Sequence, residues 1–383
     1  MLTMHSVLKH GGLYWDREVL PAEAYAQRFA RIQAAVVESG DAGWFVYGDV
    51  ARYGCVTYVT NFLPRVRSAL AYVPAKGEPA LFANIGKRDV PAAKTITWVE
   101  DVRPFGRLPG EVVAFIEAEK LTRARIGHAG LEDAIPVVDW AAIDTGVPDV
   151  TWQSRDPELS VLRAVKEDWE VAAIARAAAI ADDALALAPQ LIRPGATIRE
   201  IIAGIDRVAR TAGVEDVRYL IASGPQVGVA LRPIDDRVLA AGDTVLIYAA
   251  VEAQRYWAET ARTFVIGSAP AALRALHAQA VEALDAMRET AGGGVSASDL
   301  AAVAGAILSS SPYGFGNAIG LDANEPPVIA RDSDGAFADG ATLALRAIVH
   351  ENGMGVAVGQ TVVLRSGHAE ALNAVAPLVE IGS

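Results

Sequence analysis

The residues with most chemistry to offer in this 383-residue chain lie in one stretch, residues 242–267, and in two later ones. Tyr248 and Glu259 fall in the runs 244–251 and 256–266, Asn317 in GNAIGL, and Arg346 in ALRAIV. A carboxylate in a half-apolar pocket gains a raised pKa and can act as a general base, which gives Glu259 the strongest claim to catalysis. Tyr248 either fills space or donates a proton, its pKa pulled down by Arg346. Arg346 is flanked by apolar residues, so burying it demands an anion. That anion is either Glu259 in a salt bridge or a substrate carboxylate held by two parallel hydrogen bonds. Asn317 either orients a ligand carbonyl or satisfies neighbouring backbone groups. His350 shares the strand face of Arg346 and reads as a pocket residue or as a partly exposed strand end.

The elements that must position these residues are legible from pattern. The runs 244–251 and 256–266 flank a short polar connection at 252–255, which predicts a β-hairpin bringing Tyr248 and Glu259 near each other from opposite strands. Ahead of it, residues 21–39 read as an amphipathic helix, and 42–47, 68–73 and 80–82 as strands, so residues 1–155 form a small α/β domain with a mixed sheet. A second domain, 156–383, opens at Asp156-Pro157 with a long Ala-rich helix to about residue 191. Arg193-Pro194-Gly195 stops that helix, and Thr197 caps the next with Glu200 at the capping-box position. A helix over 271–291 ends at Gly292-Gly293-Gly294, and strands are expected at 217–223, 314–320, 342–350 and 356–364 as well as in the hairpin. Helices over one face of a curved antiparallel sheet make this domain α+β.

Composition excludes several classes of function. A net charge of −12 without a Lys/Arg cluster disfavours a nucleic-acid partner. Cys55 is the single cysteine, so no intrachain disulfide or thiolate metal site can form, and a cytoplasmic setting fits. No export signal is evident at the amino terminus, and charged residues interrupt the Ala-rich stretch 171–191, so no membrane span is expected.

RAVKEDWE (163–170), IRPGAT (192–197), SGPQ (223–226), LAAGDTVLI (239–247), ETARTFVIG (259–267), GNAIGLDANEPP (316–327) and QTVVL (360–364) follow one another in an order and spacing that resemble the creatinase, aminopeptidase P and methionine aminopeptidase family. The resemblance covers about residues 160–375 and implies a pita-bread fold. The preceding domain resembles the amino-terminal domain of the creatinase and aminopeptidase P branch. Most members of the family bind two divalent metals through two Asp, one His and two Glu, and the resemblance aligns those places with Tyr248, Glu259, Asn317, Arg346 and Gly359. Asn324, before Glu325, matches a second histidine. Charges at the five aligned positions sum to about zero, which implies no metal and no cofactor. Creatinase, a metal-free member, uses a histidine whose place here is Leu231, with Gln226 and Arg232 on the same loop. Its amino-terminal domain reaches the partner subunit's pocket, which makes Phe62, Arg65 and Arg67 candidates for substrate binding in a homodimer. The two arginines are expected on one face of an extended segment.

These readings lead to a metal-independent hydrolase or lyase acting on a small polar substrate that carries a carboxylate or an amide-like C–N bond. Glu259 and Tyr248 are its catalytic residues, and Arg346, Asn317, Arg232, Asn324, Glu325, His350, Phe62, Arg65 and Arg67 its binding residues. The alternative is a non-catalytic pseudo-peptidase module that binds a peptide or protein, and ordinary metallopeptidase activity is not expected.

Overall fold

The computed structural model describes residues 14–132, 134–227, 231, 236–308 and 311–382. The chain divides into two compact units, Met1–Arg163 and Ala164–Ser383. Among the described residues no helix is long and apolar enough to cross a membrane.

The first unit carries strands β1 (Gly43–Asp49), β2 (Ser68–Pro74), β3 (Ala80–Ala83), β4 (Asp101–Pro104), β5 (Arg125–Ala129) and β6 (Thr151–Ser154). Its helices are α1 (Ala22–Ser39), α2 (Gly54–Thr60), α3 (Val90–Ala93), α4 (Leu108–Ala118) and α5 (Val137–Gly146), and α6 (Asp156–Ala164) runs to its end. The strands form one mixed sheet in the order β4-β3-β2-β1-β5-β6, antiparallel at β1/β2 and β2/β3 and parallel elsewhere. Gly40 ends α1 in the left-handed region, φ 69°, where its N–H reaches the carbonyl of Val37. Phe45, Tyr72, Phe82 and Phe115 pack ring against ring in the core under α4.

The second unit holds α7 (Asp168–Ala186), α8 (Ala188–Leu191), α9 (Ile198–Thr211), α10 (Ala271–Thr290) and α11 (Ala297–Ile307). Its strands are β7 (Asp216–Gly224), β8 (Thr244–Ala253), β9 (Tyr256–Ile266), β10 (Gly316–Ala318), β11 (Glu325–Ile329), β12 (Thr342–Glu351), β13 (Met354–Arg365), β14 (His368–Ala371) and β15 (Val379–Ile381). They form one sheet in the order β11-β10-β12-β13-β9-β8-β7, with β14 beside β13 and β15 beside β9. Strand alternation then separates two faces. Along β12, Leu343, Leu345, Ala347 and Val349 enter the core with α10 and α11, while Ala344, Arg346 and Ile348 belong to the opposite face.

The predicted long helix over 156–191 is three helices. Glu167 interrupts it by capping α7, the Glu170 carboxylate accepting from the Glu167 amide at 3.0 Å. Thr197 caps α9 as its sequence suggests, accepting from the Glu200 amide at 3.2 Å. The hairpin forms, and its polar connection is buried. Gln254 and Arg255 make the turn with φ of 51° and 72°, and Arg255 is wholly buried with its guanidinium 3.1 Å from Glu215. The short strand β11 and helix α11, capped by Ser296 on the Asp299 amide at 3.0 Å, were not expected.

Candidate active site

On the sheet face opposite α10 and α11, cross-strand pairing builds a compact polar centre. Tyr248, Ala261, Gly359 and Arg346 are partners in succession across β8, β9, β13 and β12. Two residues along that face, Ala250 pairs with Glu259, while Ala344 pairs with Thr361 on one side and Asn317 on the other. Tyr248 and Glu259 are therefore diagonal neighbours in the hairpin, within reach of long side chains. The Arg346 guanidinium ties the rows together: Nη1 donates to Glu259 Oε2 at 3.0 Å and to Asn317 Oδ1 at 2.9 Å, and Nη2 to the Tyr313 carbonyl at 3.4 Å. Asn317 is fully buried, and its Nδ2 donates to the carbonyls of Ala318 and Ala323 at 2.8 and 2.9 Å. It thus satisfies backbone and orients Arg346 at once. Tyr248 packs against two apolar clusters, one with Ala250, Trp257, Ile319, Ala323 and Ala344, the other with Ala222, Val227, Leu246, Ala261, Ile348 and Ala357.

Burial sets the protonation of the centre. Glu259 is 3% exposed, and removal from water pushes its carboxyl above the ordinary range despite the opposing pull of Arg346 and of Tyr248. Its Oε1 has no hydrogen-bond partner of ordinary geometry among the described residues, although the Tyr248 hydroxyl is close enough to bias its titration. Tyr248 departs from expectation. Its phenol is driven well above its usual range, first by burial and then by the Glu259 carboxylate, and these outweigh the downward pull of Arg346. It holds its proton and acts as a hydrogen-bond donor.

A threonine seam fixes the backbone of Glu259. Among the described residues the ladder between β9 and β13 shrinks to one pair, Ala261 with Gly359, and hydroxyls take over on either side. The Glu259 amide donates to Thr361 Oγ1 at 2.9 Å, and the same hydroxyl donates to the Glu259 carbonyl at 2.9 Å. Thr263 and Ala357 repeat this exchange at 2.9 Å, and Thr260 donates to the Gly359 carbonyl at 3.3 Å. A Cβ on Gly359 would stand 3.0 Å from the Ala261 nitrogen, so the close approach of the two strands favours glycine there.

A sequence model of metallopeptidase family M24 matches residues 172–366, just over half of the chain. The chain belongs to metallopeptidase family M24. It is 25% identical over 376 residues to the probable dipeptidase PepE of Mycobacterium bovis, covering 92% of this chain and 95% of that relative. It is 24% identical over 228 residues to the Xaa-Pro dipeptidase of Pyrococcus horikoshii, a match covering 57% of this chain and 65%, just under two thirds, of that one. The structure is similar to that of the X-Pro aminopeptidase from Thermotoga maritima MSB8, with a TM-score of 0.81 at 22% identity over 92% of this chain and 99% of the other. This likeness carries the pita-bread fold.

The M24 assignment corrects the functional expectation. A metal-independent hydrolase or lyase, and the exclusion of metallopeptidases, conflict with a family of metallopeptidases and with relatives named dipeptidases and an aminopeptidase. Nothing in these likenesses supports a lyase. The donors on this face do not themselves fit a divalent cation: among the described residues no three His, Cys, Asp or Glu side chains come together, and the Arg346 guanidinium lies against the Glu259 carboxylate.

Among the remaining candidates of the second unit, Glu325 is already engaged. Glu325 is buried, but its Oε2 is 2.6 Å from Lys166 Nζ and its Oε1 accepts from the Leu321 amide at 3.1 Å. Its carboxylate is an internal anchor and does not face a ligand, which corrects its assignment to binding. Asn324 is exposed and His350 half-buried. Arg232 lies outside the described residues. In the first unit Phe62 is 1% exposed, so its ring belongs to the interior and is not offered to a partner subunit. Arg65 and Arg67 do not share an extended segment: the chain bends there, with Arg67 at φ 50°. Two site residues escaped the sequence reading. Thr361 lies within QTVVL, where nothing marks a hydroxyl as the partner of a backbone 102 residues away. Arg218, on β7, pairs with Ala250 and so shares the row of Glu259. Its signal was a lone cation in the otherwise apolar alternation of a strand.

Proposed function

We propose that the chain is a peptidase that cleaves dipeptide-sized substrates at the centre formed by Glu259, Tyr248, Arg346 and Asn317. One observation carries this reading: Glu259 is buried with a raised pKa, one oxygen held by Arg346 and the other left without a partner of ordinary geometry among the described residues. A carboxyl so placed is suited to take a proton from water and return it to the leaving amine as the C–N bond breaks. Tyr248, keeping its proton, donates to the substrate carbonyl or to Glu259, and Arg346 holds the catalytic carboxylate in place. The names of the relatives, Xaa-Pro dipeptidase and dipeptidase, agree in substrate size. The resemblance to creatinase adds a homodimer, in which Arg65 and Arg67 remain the first-unit residues for substrate contact. The single cysteine fits a cytoplasmic setting.

The test is a panel of dipeptides, Xaa-Pro members included, incubated with the full chain and followed by mass spectrometry for free amino acids. Release from at least a subset, lost in Glu259→Gln, is expected. Absence of cleavage across the panel, with the protein folded, would overturn the reading.

A further inference from the structure

The first unit carries a small cavity that none of the proposed chemistry uses. It measures about 150 Å³ and lies between the end of β5 and the start of α5, walled by His128, Leu131, Ile135, Val137 and Trp140. Glu132 is the charged residue of its lining among the described residues. We propose that this cavity is a second ligand site, and that it takes a small organic ammonium with a one-ring or similarly sized apolar body. The size is right for such a body, since an apolar cavity of about this volume holds a benzene ring. Beside it Val137 and Val138, 83% and 73% exposed, extend the apolar surface.

Three rings and one carboxylate set the charge preference. The His128 ring on β5 lies 5.4 Å from Trp140 of α5 and 6.5 Å from Trp152 of β6, centre to centre, and the two indoles are 5.0 Å apart. Indole faces attract a cation. His128 is 5% exposed, and its Nδ1 is buried without a hydrogen-bond partner among the described residues. Burial, helped by Arg155, lowers its pKa below the ordinary 6.5 despite the charges of Glu132 and Asp156. The imidazole is therefore neutral in neutral solution and does not repel an ammonium. The other nearby charges are engaged: Asp156 accepts from the Gly130 amide at 2.7 Å and the Ser154 hydroxyl at 3.2 Å, and Arg155 donates to Asp41 at 2.7 Å and Glu158 at 2.8 Å. Glu132 is exposed and makes no ion pair among the described residues. An anion entering the cavity would meet that carboxylate; an ammonium is matched by it.

The experiment titrates the full chain by calorimetry with benzylamine, benzyl alcohol and benzoate, which share one ring and differ in charge. Benzylamine is expected to bind about tenfold more tightly than benzyl alcohol, and benzoate more weakly than either. Glu132→Gln should weaken benzylamine about three- to fivefold, the scale of an exposed ion pair, and leave benzyl alcohol unchanged. Trp140→Leu should weaken both, and if that variant does not fold, Glu132→Gln decides alone. Glu259→Gln, in the second unit, should leave benzylamine binding as it is. No binding of benzylamine at millimolar concentration, or binding of the alcohol or of benzoate as tight as that of the amine, overturns the proposal. So does benzylamine binding that is unchanged in Glu132→Gln or that is lost in Glu259→Gln. None of these outcomes depends on peptide cleavage.

Discussion

Two buried acid–base pairs in the second unit use the same kinds of charge to opposite ends. At Lys166–Glu325 the ammonium and carboxylate lie 2.6 Å apart with side chains 2% and 7% exposed, and the second carboxylate oxygen accepts from the Leu321 amide. A Cβ on Gly320 would come within 2.8 Å of both Glu325 Oε1 and Lys166 Cε, so the backbone makes room for this pair and nothing more. At Glu259–Arg346 the contact is 3.0 Å, Arg346 shares its fork with Asn317, and Glu259 Oε1 has no partner of ordinary geometry among the described residues. A saturated pair spends its interactions on holding backbone. An incompletely satisfied one keeps a polar atom costly to bury and therefore ready for a ligand or a proton.

Breaking each pair separates the two roles. Lys166→Met should leave the Glu325 carboxylate buried without its counter-charge, at a cost of about 3–5 kcal/mol. Arg346→Ala should cost less, about 1–3 kcal/mol, because burial has already raised the pKa of Glu259 and so lowers the cost of protonating it once Arg346 is gone. Denaturant unfolding of both variants checks the order, and a larger loss in Arg346→Ala would refute the contrast.

A subtler effect lies in pH. Burial raises the pKa of Glu259 above its ordinary value of 4.5, so the folded state binds that proton more tightly than the unfolded chain. The contribution to stability is complete below the unfolded pKa and declines as pH rises through the folded one. Native stability minus that of Glu259→Gln should therefore fall as pH increases from about 4.5 upward, as read from paired denaturation curves. A difference that grows with pH would mean that Arg346 dominates and that Glu259 is held ionised.

Much of the fold was legible because the motifs recur in order across more than half the chain, and no single residue decides them. The hairpin, the caps of α9 and the alternation of β12 follow from local pattern. What local pattern cannot carry is the distant partner. Lys166 lies within the stretch 156–191 that reads as one long helix, and its carboxylate stands 159 residues downstream. Arg255 reads as part of a short polar connection, yet Glu215, 40 residues earlier, draws it inside. Phe62 was legible as aromatic but not as buried, since spacing alone says nothing of what covers a ring. At the centre, residue types pointed correctly to Glu259 and Arg346 as neighbours. The direction of the Tyr248 shift was misjudged because it depends on how far burial and the adjacent carboxylate outweigh one arginine.

The central claim is that Glu259 handles the proton in peptide cleavage and is not merely the counter-ion of Arg346. The direct measurement is kcat/KM on a cleaved dipeptide across pH 4–9 for the native chain and for Glu259→Gln, with unfolding curves in parallel. A fall of about 10²–10⁴-fold in Glu259→Gln, together with loss of the acidic limb of the profile and a retained fold, is the predicted result. Turnover within a few-fold of native, with the acidic limb unchanged, would contradict it.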